Sequence, residues 1–124
     1  METDFAKLAY SHGYWVHLFA TKIVGQPCDA VIVKDNIAWF LDVKHVADKD
    51  YFLHSRIEVN QMNVFEMLSK RNFNNIGFII YFSKFDTWNY LPYSKLDKSA
   101  KKTHYTATLS IEHIFSNDKL KKKG

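Results

Sequence analysis

Hydrophobic and polar positions alternate on both sides of a short polar pair at residues 35 and 36. Two runs rich in Val, Ile, Trp and Phe flank Asp35-Asn36, and Asp and Asn tolerate the positive φ angles of a tight hairpin turn. The pattern therefore predicts a β-hairpin with a two-residue turn. Its register sets Asp29 directly opposite Asp42, with Cβ atoms about 4.5–5.5 Å apart, where like charges repel each other.

Strand alternation divides this hairpin into two faces, because successive residues of a strand point to opposite sides. Asp29, Asp42 and Lys44 share one face. The apolar residues are Val31, Val33, Ala38 and Phe40 on that face, and Ala30, Ile32, Ile37, Trp39, Leu41 and Val43 on the other. A sheet that is apolar on both sides is typical of a buried sheet. Charged groups are costly there unless they bind an ion or take part in chemistry.

Hydrophobic periodicity along the rest of the chain predicts an α/β protein. Apolar residues at helical spacing precede Gly13 and Lys70, and a continuous apolar run has the length of an interior strand. The predicted helices cover 2–12 and 55–70, the predicted strands beyond the hairpin cover 14–20, 76–82, 88–91 and 103–109, and the main predicted connections cover 21–26, 45–53 and 71–75. We expect the order α-β-β-β-α-β, a mixed central sheet with helices on both sides, a single domain over 1–116 and a mobile basic tail over 117–124.

The two carboxylates and the ammonium on one hairpin face form a donor set that suits a divalent cation. Mg²⁺ takes hard oxygen ligands and commonly uses one or two carboxylates, with water and phosphate in its other positions. Asp29 and Asp42 therefore predict a magnesium site. Lys44 would lie beside it, where its charge could stabilise negative charge that develops on a phosphate. The alternative is a half-exposed hairpin whose Asp and Lys side chains form a surface ion pair.

Gln61 lies within the apolar stripe of the second predicted helix. That stripe consists of Ile57, Val64, Phe65 and Leu68. A buried amide needs hydrogen-bond partners, and backbone groups could supply them. Alternatively, Gln61 faces the carboxylates and positions water or a phosphate. Its neighbours Arg56 and Asn60 are either phosphate contacts or part of a solvated helix face.

Composition and charge narrow the function classes. The chain has 124 residues, of which 47% are hydrophobic, and its net charge of +4 favours a polyanionic partner. The single cysteine, Cys28, excludes an internal disulfide and fits a reducing compartment. No apolar run reaches the length of a membrane span, the histidines lack zinc spacing, and glycine-rich nucleotide motifs are absent. We therefore expect a cytoplasmic protein with no membrane segment, zinc site or nucleotide cofactor.

Pro27-Cys28-Asp29 followed by Asp42-Val43-Lys44 resembles the PD-(D/E)xK nuclease signature. From Glu2 to about Leu96 the chain is similar to RecU-type Holliday-junction resolvases. The similar segments are Gly13-Tyr14-Trp15-Val16-His17, Gly25-Gln26-Pro27, Phe52-Leu53 to Gln61, Gly77-Phe78-Ile79-Ile80-Tyr81-Phe82 and Tyr90-Leu91-Pro92. The resemblance implies a restriction-endonuclease-like core and an endonuclease that uses Mg²⁺, for which Mn²⁺ can substitute.

The resemblance also implies a set of site residues. Glu2, in the place of the family's acidic residue in its first helix, would join Asp29, Asp42 and the Val43 carbonyl around the metal; without that role it would complement the helix dipole. Lys44 and Gln61 complete the expected catalytic set. DNA contacts are expected from Lys22, Gln26, Arg56, Asn60, Lys101 and Lys102.

The chain departs from the family in two places. Leu18 stands where many similar sequences have Arg, so Lys22 or Arg56 would have to supply that positive charge. The loop at 21–26 is short, whereas larger members of the family carry a long stalk there that enters the centre of the four-way junction.

The function implied by the resemblance is the resolution of four-way DNA junctions by paired, symmetric nicks. The metal would lower the pKa of a bound water for attack on phosphorus, and a homodimer would match the two-fold symmetry of the substrate. Two other hypotheses remain open. One is a nuclease of the same fold that acts on flapped or duplex DNA, and the other is an inactive module that binds DNA or a protein.

Overall fold

The computed structural model describes residues 1–19 and 28–116, and a mixed sheet forms the centre of this part of the chain. The helices of the described residues are Glu2–Ser11 (α1), Val59–Lys70 (α2) and Glu112–Phe115 (α3). The strands are Trp15–Leu18 (β1), Ala30–Lys34 (β2), Ile37–Val46 (β3), Tyr51–Leu53 (β4), Ile76–Phe82 (β5), Thr87–Pro92 (β6), Lys102–His104 (β7) and Leu109–Ser110 (β8).

The strand order of the central sheet is β1-β2-β3-β5-β6-β8. Strand β3 runs parallel to β5, and the other neighbouring pairs are antiparallel. Strands β4 and β7 form a second, two-stranded antiparallel sheet. The prediction of an α/β fold with a mixed central sheet and helices on both sides is therefore confirmed.

The β2–β3 hairpin has the turn and the register that the sequence predicts. Asp35 and Asn36 have φ angles of 52° and 67°, as a turn with two left-handed residues requires. The ladder ends at the Ala30–Leu41 pair, one residue short of the predicted pair of Asp29 and Asp42. Beyond that point β3 continues to Val46, and its pairing partner among residues 1–19 and 28–116 is β5.

Each face of the central sheet packs against its own helix. Phe5 and Ala9 of α1 belong to a core cluster with Leu41 and Val43 of β3. On the other face, Phe65 of α2 packs with a second cluster that includes Phe78 and Ile80 of β5 and Val46 of β3. Complete burial of a large apolar side chain contributes roughly 1.5–3 kcal/mol. The two clusters therefore hold β3 between two apolar layers.

The second helix begins later than the sequence predicts. Residues 54–56 form a single 3₁₀ turn, Ile57 is extended, and α2 begins at Val59. Contacts from distant segments hold this turn: the His54 ring nitrogens bond to the Ala100 carbonyl at 2.8 Å and to the Thr103 hydroxyl at 2.6 Å. Arg56 is therefore not on α2, and the prediction of a helix over 55–70 is wrong for its first turn.

Two further element predictions need correction. The connection predicted at 45–53 contains the end of β3 and all of β4. The strand predicted at 103–109 is interrupted by a 3₁₀ turn at Tyr105–Ala107, so its ends belong to two different sheets. The predicted loop at 21–26 and the tail at 117–124 lie outside the described residues. Among the helices that the structure describes, none has the length and apolar character needed to cross a bilayer.

Candidate functional site

The candidate site lies where β2 stops and β3 continues. Asp29 follows Cys28 just before β2, and its backbone N–H donates to the Leu41 carbonyl at 3.1 Å. Its carboxylate Oδ2 accepts a hydrogen bond from the Val43 N–H at 2.8 Å. Backbone groups of residues two apart in a strand point to the same side, so the Val43 carbonyl, like that of Leu41, points toward the side of β3 on which Asp29 lies. The end of β2 thus places carboxylate and carbonyl oxygens next to each other.

Asp42 is completely buried at the centre of the site. Its register partner on β5 is Phe78, and that of Lys44 is Ile80, so both polar side chains lie on the face that α2 covers. Gln61 is in the first turn of α2, and its Nε2 donates to Asp42 Oδ1 at 2.8 Å. Lys44 Nζ is 3.1 Å from Asp42 Oδ2, with 15% of the lysine side chain exposed. The helix, the strand and the end of β2 therefore meet at one carboxylate.

The protonation of Asp42 depends strongly on its surroundings. Burial, hydrogen bonding to the Asp29 carboxyl and the negative charge of Asp29 together raise the pKa of Asp42 from its ordinary value of 3.8 to about 8, although the charge of Lys44 opposes the shift. A proton on Asp42 could be donated to Asp29, whereas two ionised carboxylates can only accept and repel each other. Without a further cation, the pair therefore favours a shared proton.

Buried oxygen atoms in the site fit a hard divalent cation. Gln61 Oε1 is buried and makes no hydrogen bond to any described residue, and the buried Asp42 Oδ2 has Lys44 Nζ 3.1 Å away as its charged partner. Unsatisfied buried oxygens are costly, and Mg²⁺ needs such ligands, one or two of which are commonly carboxylates. Asp29, Asp42 and the Val43 carbonyl are thus a suitable donor set, with Gln61 beside it.

Glu2 is not part of this set. It begins α1, which packs on the face of Val43, and its carboxylate is 3.8 Å from the amino group of Met1. Within residues 1–19 and 28–116, no three side chains of His, Cys, Asp or Glu are grouped closely enough to hold a metal. The carboxylates that the described structure brings together are those of Asp29 and Asp42.

The structure describes four of the residues expected to contact DNA. Asn60 precedes Gln61 in the first turn of α2. Arg56 is exposed, and its Nη1 donates to the His45 carbonyl at 2.7 Å. Lys101 and Lys102 are exposed at the start of β7. Lys22 and Gln26 lie outside the described residues.

Two features of the site region were not predicted from the sequence. Cys28 is buried behind the carboxylates, its Sγ donates to the Ala30 carbonyl at 3.3 Å, and burial raises its pKa to about 12, so it is an inert thiol. Lys49 and Tyr51 form part of a cavity beyond the end of β3. Their position depends on the pairing of β4 with β7, which joins residues about fifty positions apart in the chain.

Structural comparison identifies a similar solved protein. The Hjc Holliday junction resolvase of the archaeal hyperthermophile Archaeoglobus fulgidus superposes with a TM-score of 0.70 and 14% sequence identity, over 91% of this chain and 95% of that one. No protein-family model matches the sequence, and no curated protein is significantly similar to it. The shared fold is restriction-endonuclease-like, which confirms the fold class predicted from the sequence.

Proposed function

We propose that the protein is a Mg²⁺-dependent endonuclease that resolves four-way DNA junctions. The observation that carries this proposal is the buried Asp42 carboxylate, which contacts Asp29, Lys44 and Gln61 at the point where β2 and β3 separate. The resolvase-like fold supports it. Mn²⁺ is expected to replace Mg²⁺, since both accept oxygen ligands.

Asp29, Asp42 and the Val43 carbonyl would hold the metal. When bound, Mg²⁺ supplies Lewis-acid activation of a phosphoryl group and of the attacking water. A bound divalent cation would offset the repulsion between the two carboxylates, and Asp42 would then hold it in the ionised form. The Val43 N–H fixes the orientation of Asp29, and Gln61 Nε2 fixes that of Asp42. Hydrogen bonds within the protein thus orient both carboxylates for the proposed ion.

Lys44 and the first turn of α2 would act on the phosphate. The Lys44 ammonium is next to the carboxylate pair and partly exposed, so it can offset negative charge that develops on a phosphate at the surface of the site. Gln61 lies in the first turn of α2, and a helix N-terminus carries partial positive charge that favours anions. Gln61 Oε1 can accept a hydrogen bond from water. These groups would orient the phosphate and the water in line with the bond that breaks.

Binding of DNA would use cations near the site. Arg56, Lys101 and Lys102 are exposed, and Asn60 is beside Gln61. Such contacts position the DNA backbone without reading its sequence. Lys22 and Gln26, in the segment 21–26 that the sequence predicts to be a loop, are proposed to add contacts. Paired nicks across a junction require two active sites, so we propose a homodimer that matches the two-fold substrate.

Cleavage of matched synthetic substrates tests the proposal. A four-way junction, a flap and a linear duplex that share the same arm sequences are incubated with Mg²⁺, with Mn²⁺ or with EDTA. We expect paired nicks in the junction only with metal, and a loss of about 10²–10³-fold or more for Asp42→Asn and Lys44→Ala. Junction binding in EDTA should persist in both variants. Lys7→Ala, which removes an exposed charge from α1, is the matched control.

Other outcomes would contradict the proposal in different ways. Cutting of the flap or duplex at the same rate as the junction would contradict the selectivity for four-way junctions but support the endonuclease activity. Cutting by purified Asp42→Asn at the wild-type rate would exclude the proposed site. Absence of cutting together with intact DNA binding would favour an inactive DNA-binding module. Sedimentation equilibrium of the protein, free and bound to a junction, tests the dimer.

A further inference from the structure

A second site lies beyond the carboxylate cluster, in a surface cavity of about 240 Å³. Its walls come from the end of β3, the connection to β4, and the 3₁₀ turn before α2, and they include His45, Lys49, Tyr51 and Arg56. No acidic side chain is among the residues that line it. The side chains that line the cavity thus include the cations Lys49 and Arg56, while Asp48 and Asp50 flank Lys49 in the chain.

Two lysines meet at one aromatic ring beside this cavity. Lys102 Nζ is 4.6 Å from the centre of the Tyr51 ring, and Lys49 Nζ is 5.5 Å from the same point. The face of an aromatic ring attracts a cation by about 0.5–1 kcal/mol at an exposed site. This attraction keeps both ammonium groups near Tyr51 although they repel each other.

Arg56 adds a third positive charge in a fixed position. Its Nη1 donates to the His45 carbonyl at 2.7 Å, and its guanidinium carbon lies 5.8 Å from the centre of the Phe52 ring. A guanidinium has five N–H donors, so most of them remain available. Within the described residues, neither Lys49 nor Lys102 nor Arg56 has an ion-pair partner. Three cations without a counter-charge favour the binding of an anion.

We propose that this cavity binds one phosphate group, with Lys49, Lys102 and Arg56 as its partners. The planar fork of Arg56 suits two phosphate oxygens, and the lysines act as point charges. On the proposed function, this group is a backbone phosphate of the DNA strand that is cut. Asp42 and His45 are three positions apart on β3, about 10 Å along a strand, so the bound phosphate would lie on the same DNA strand, close to the scissile one.

The salt dependence of DNA binding tests this assignment. Association constants for the four-way junction are measured by fluorescence anisotropy in EDTA over a range of salt concentrations. The slope of log K against log[salt] is negative, and the loss of one phosphate contact makes it shallower by about 0.9. Lys49→Ala, Arg56→Ala and Lys102→Ala should each weaken binding by roughly 3–10-fold at moderate salt.

The triple variant tests whether the three cations hold one phosphate. Because all three hold the same phosphate, the triple variant should make the slope shallower by about 0.9 in total. Three independent contacts would give about three times that decrease.

Controls separate this proposal from the nuclease assignment and from other anions. Lys7→Ala should leave the slope unchanged, and circular dichroism verifies that each variant is folded. Unchanged slopes in all cavity variants, or a decrease of three contacts in the triple variant, would overturn the single-phosphate pocket even if cleavage is normal. A decrease of about 0.9 in a protein that never cuts DNA would support the pocket and remove the proposed function. Inorganic phosphate that shifts the NMR signals of Tyr51, while the DNA slopes stay unchanged, would overturn the assignment to DNA.

Discussion

Replacement of Asp42 by Asn should stabilise the metal-free protein while it abolishes cleavage. Burial and the neighbouring Asp29 raise the pKa of Asp42 to about 8 in the native state, whereas the unfolded chain keeps the ordinary value of 3.8. At a pH between these values, the native state binds one more proton than the unfolded state. The contribution of Asp42 to stability is therefore fully present below about pH 4 and is lost as the pH rises toward 8.

The size of this effect follows from the proton difference. A group that is protonated only in the native state changes the free energy of unfolding by about 1.4 kcal/mol per pH unit. Between about pH 5 and pH 8 the wild-type protein should therefore lose about 4 kcal/mol of stability through Asp42 alone. Asparagine has nearly the shape of the neutral acid and cannot ionise. The Asp42→Asn variant should match the wild-type protein at about pH 5 and exceed it by about 4 kcal/mol at about pH 8.

Urea unfolding in EDTA at a series of pH values measures this difference directly. Subtraction of the wild-type curve from the Asp42→Asn curve cancels the titration of the groups that do not interact with Asp42. Asp35→Asn, which removes an exposed carboxylate from the hairpin turn, should give a flat difference. A flat difference for Asp42→Asn, or a variant less stable than the wild type at about pH 8, would refute the account of the buried pair. Addition of Mg²⁺ at that pH should stabilise the wild type and leave the variant unchanged, because a ligand stabilises the state that binds it.

Three further predictions concern the surroundings of the site. Gly77→Ala should lower stability by about 1–3 kcal/mol in urea unfolding, because a Cβ there would lie 2.4 Å from the Leu91 carbonyl oxygen; a stability equal to that of the wild type would show that the two strands can move apart. Cys28 should fail to react with a thiol reagent in the native protein at about pH 8 and react fully in denaturant, since it is buried and its pKa is raised to about 12; fast native labelling would contradict its burial. Gln61→Glu should destabilise the metal-free protein, because it brings a third carboxylate to Asp42, 2.8 Å from the present amide nitrogen, and Mg²⁺ should restore much of the loss; equal stability with and without Mg²⁺ would argue against a cation at this position.

Local sequence determined much of what could be predicted. The Asp35-Asn36 turn fixed the hairpin register, because residues with positive φ were needed at two adjacent positions and the flanking runs left no other place for the bend. Alternation then assigned Asp42 and Lys44 to one face. The continuous apolar run at 76–82 predicted an interior strand. In the structure, nearly all side chains of β5 are buried.

The features that the sequence did not predict depend on contacts between distant segments. The 3₁₀ turn of residues 54–56 is held by Ala100 and Thr103, which no helical propensity of the local sequence reveals. The pairing of β4 with β7 likewise joins short segments whose own patterns are weak. Asp29 lies outside the β2–β3 ladder because the backbone bends at this residue. The position of Glu2 depends on which face of the sheet α1 covers. These features are set by tertiary packing.

The hydrogen bond from the Val43 N–H to Asp29 gives this carboxylate a second role, at the edge of β3. Past Leu41, one edge of β3 has no neighbouring strand among the described residues, and an unpaired strand edge invites pairing with another chain. Asp29 occupies the first donor of that edge. Asp29→Ala would therefore remove a proposed metal ligand and also expose the Val43 N–H to association with another chain, whereas the amide oxygen of Asp29→Asn can still accept the Val43 hydrogen bond. Only the asparagine variant separates lost chemistry from self-association.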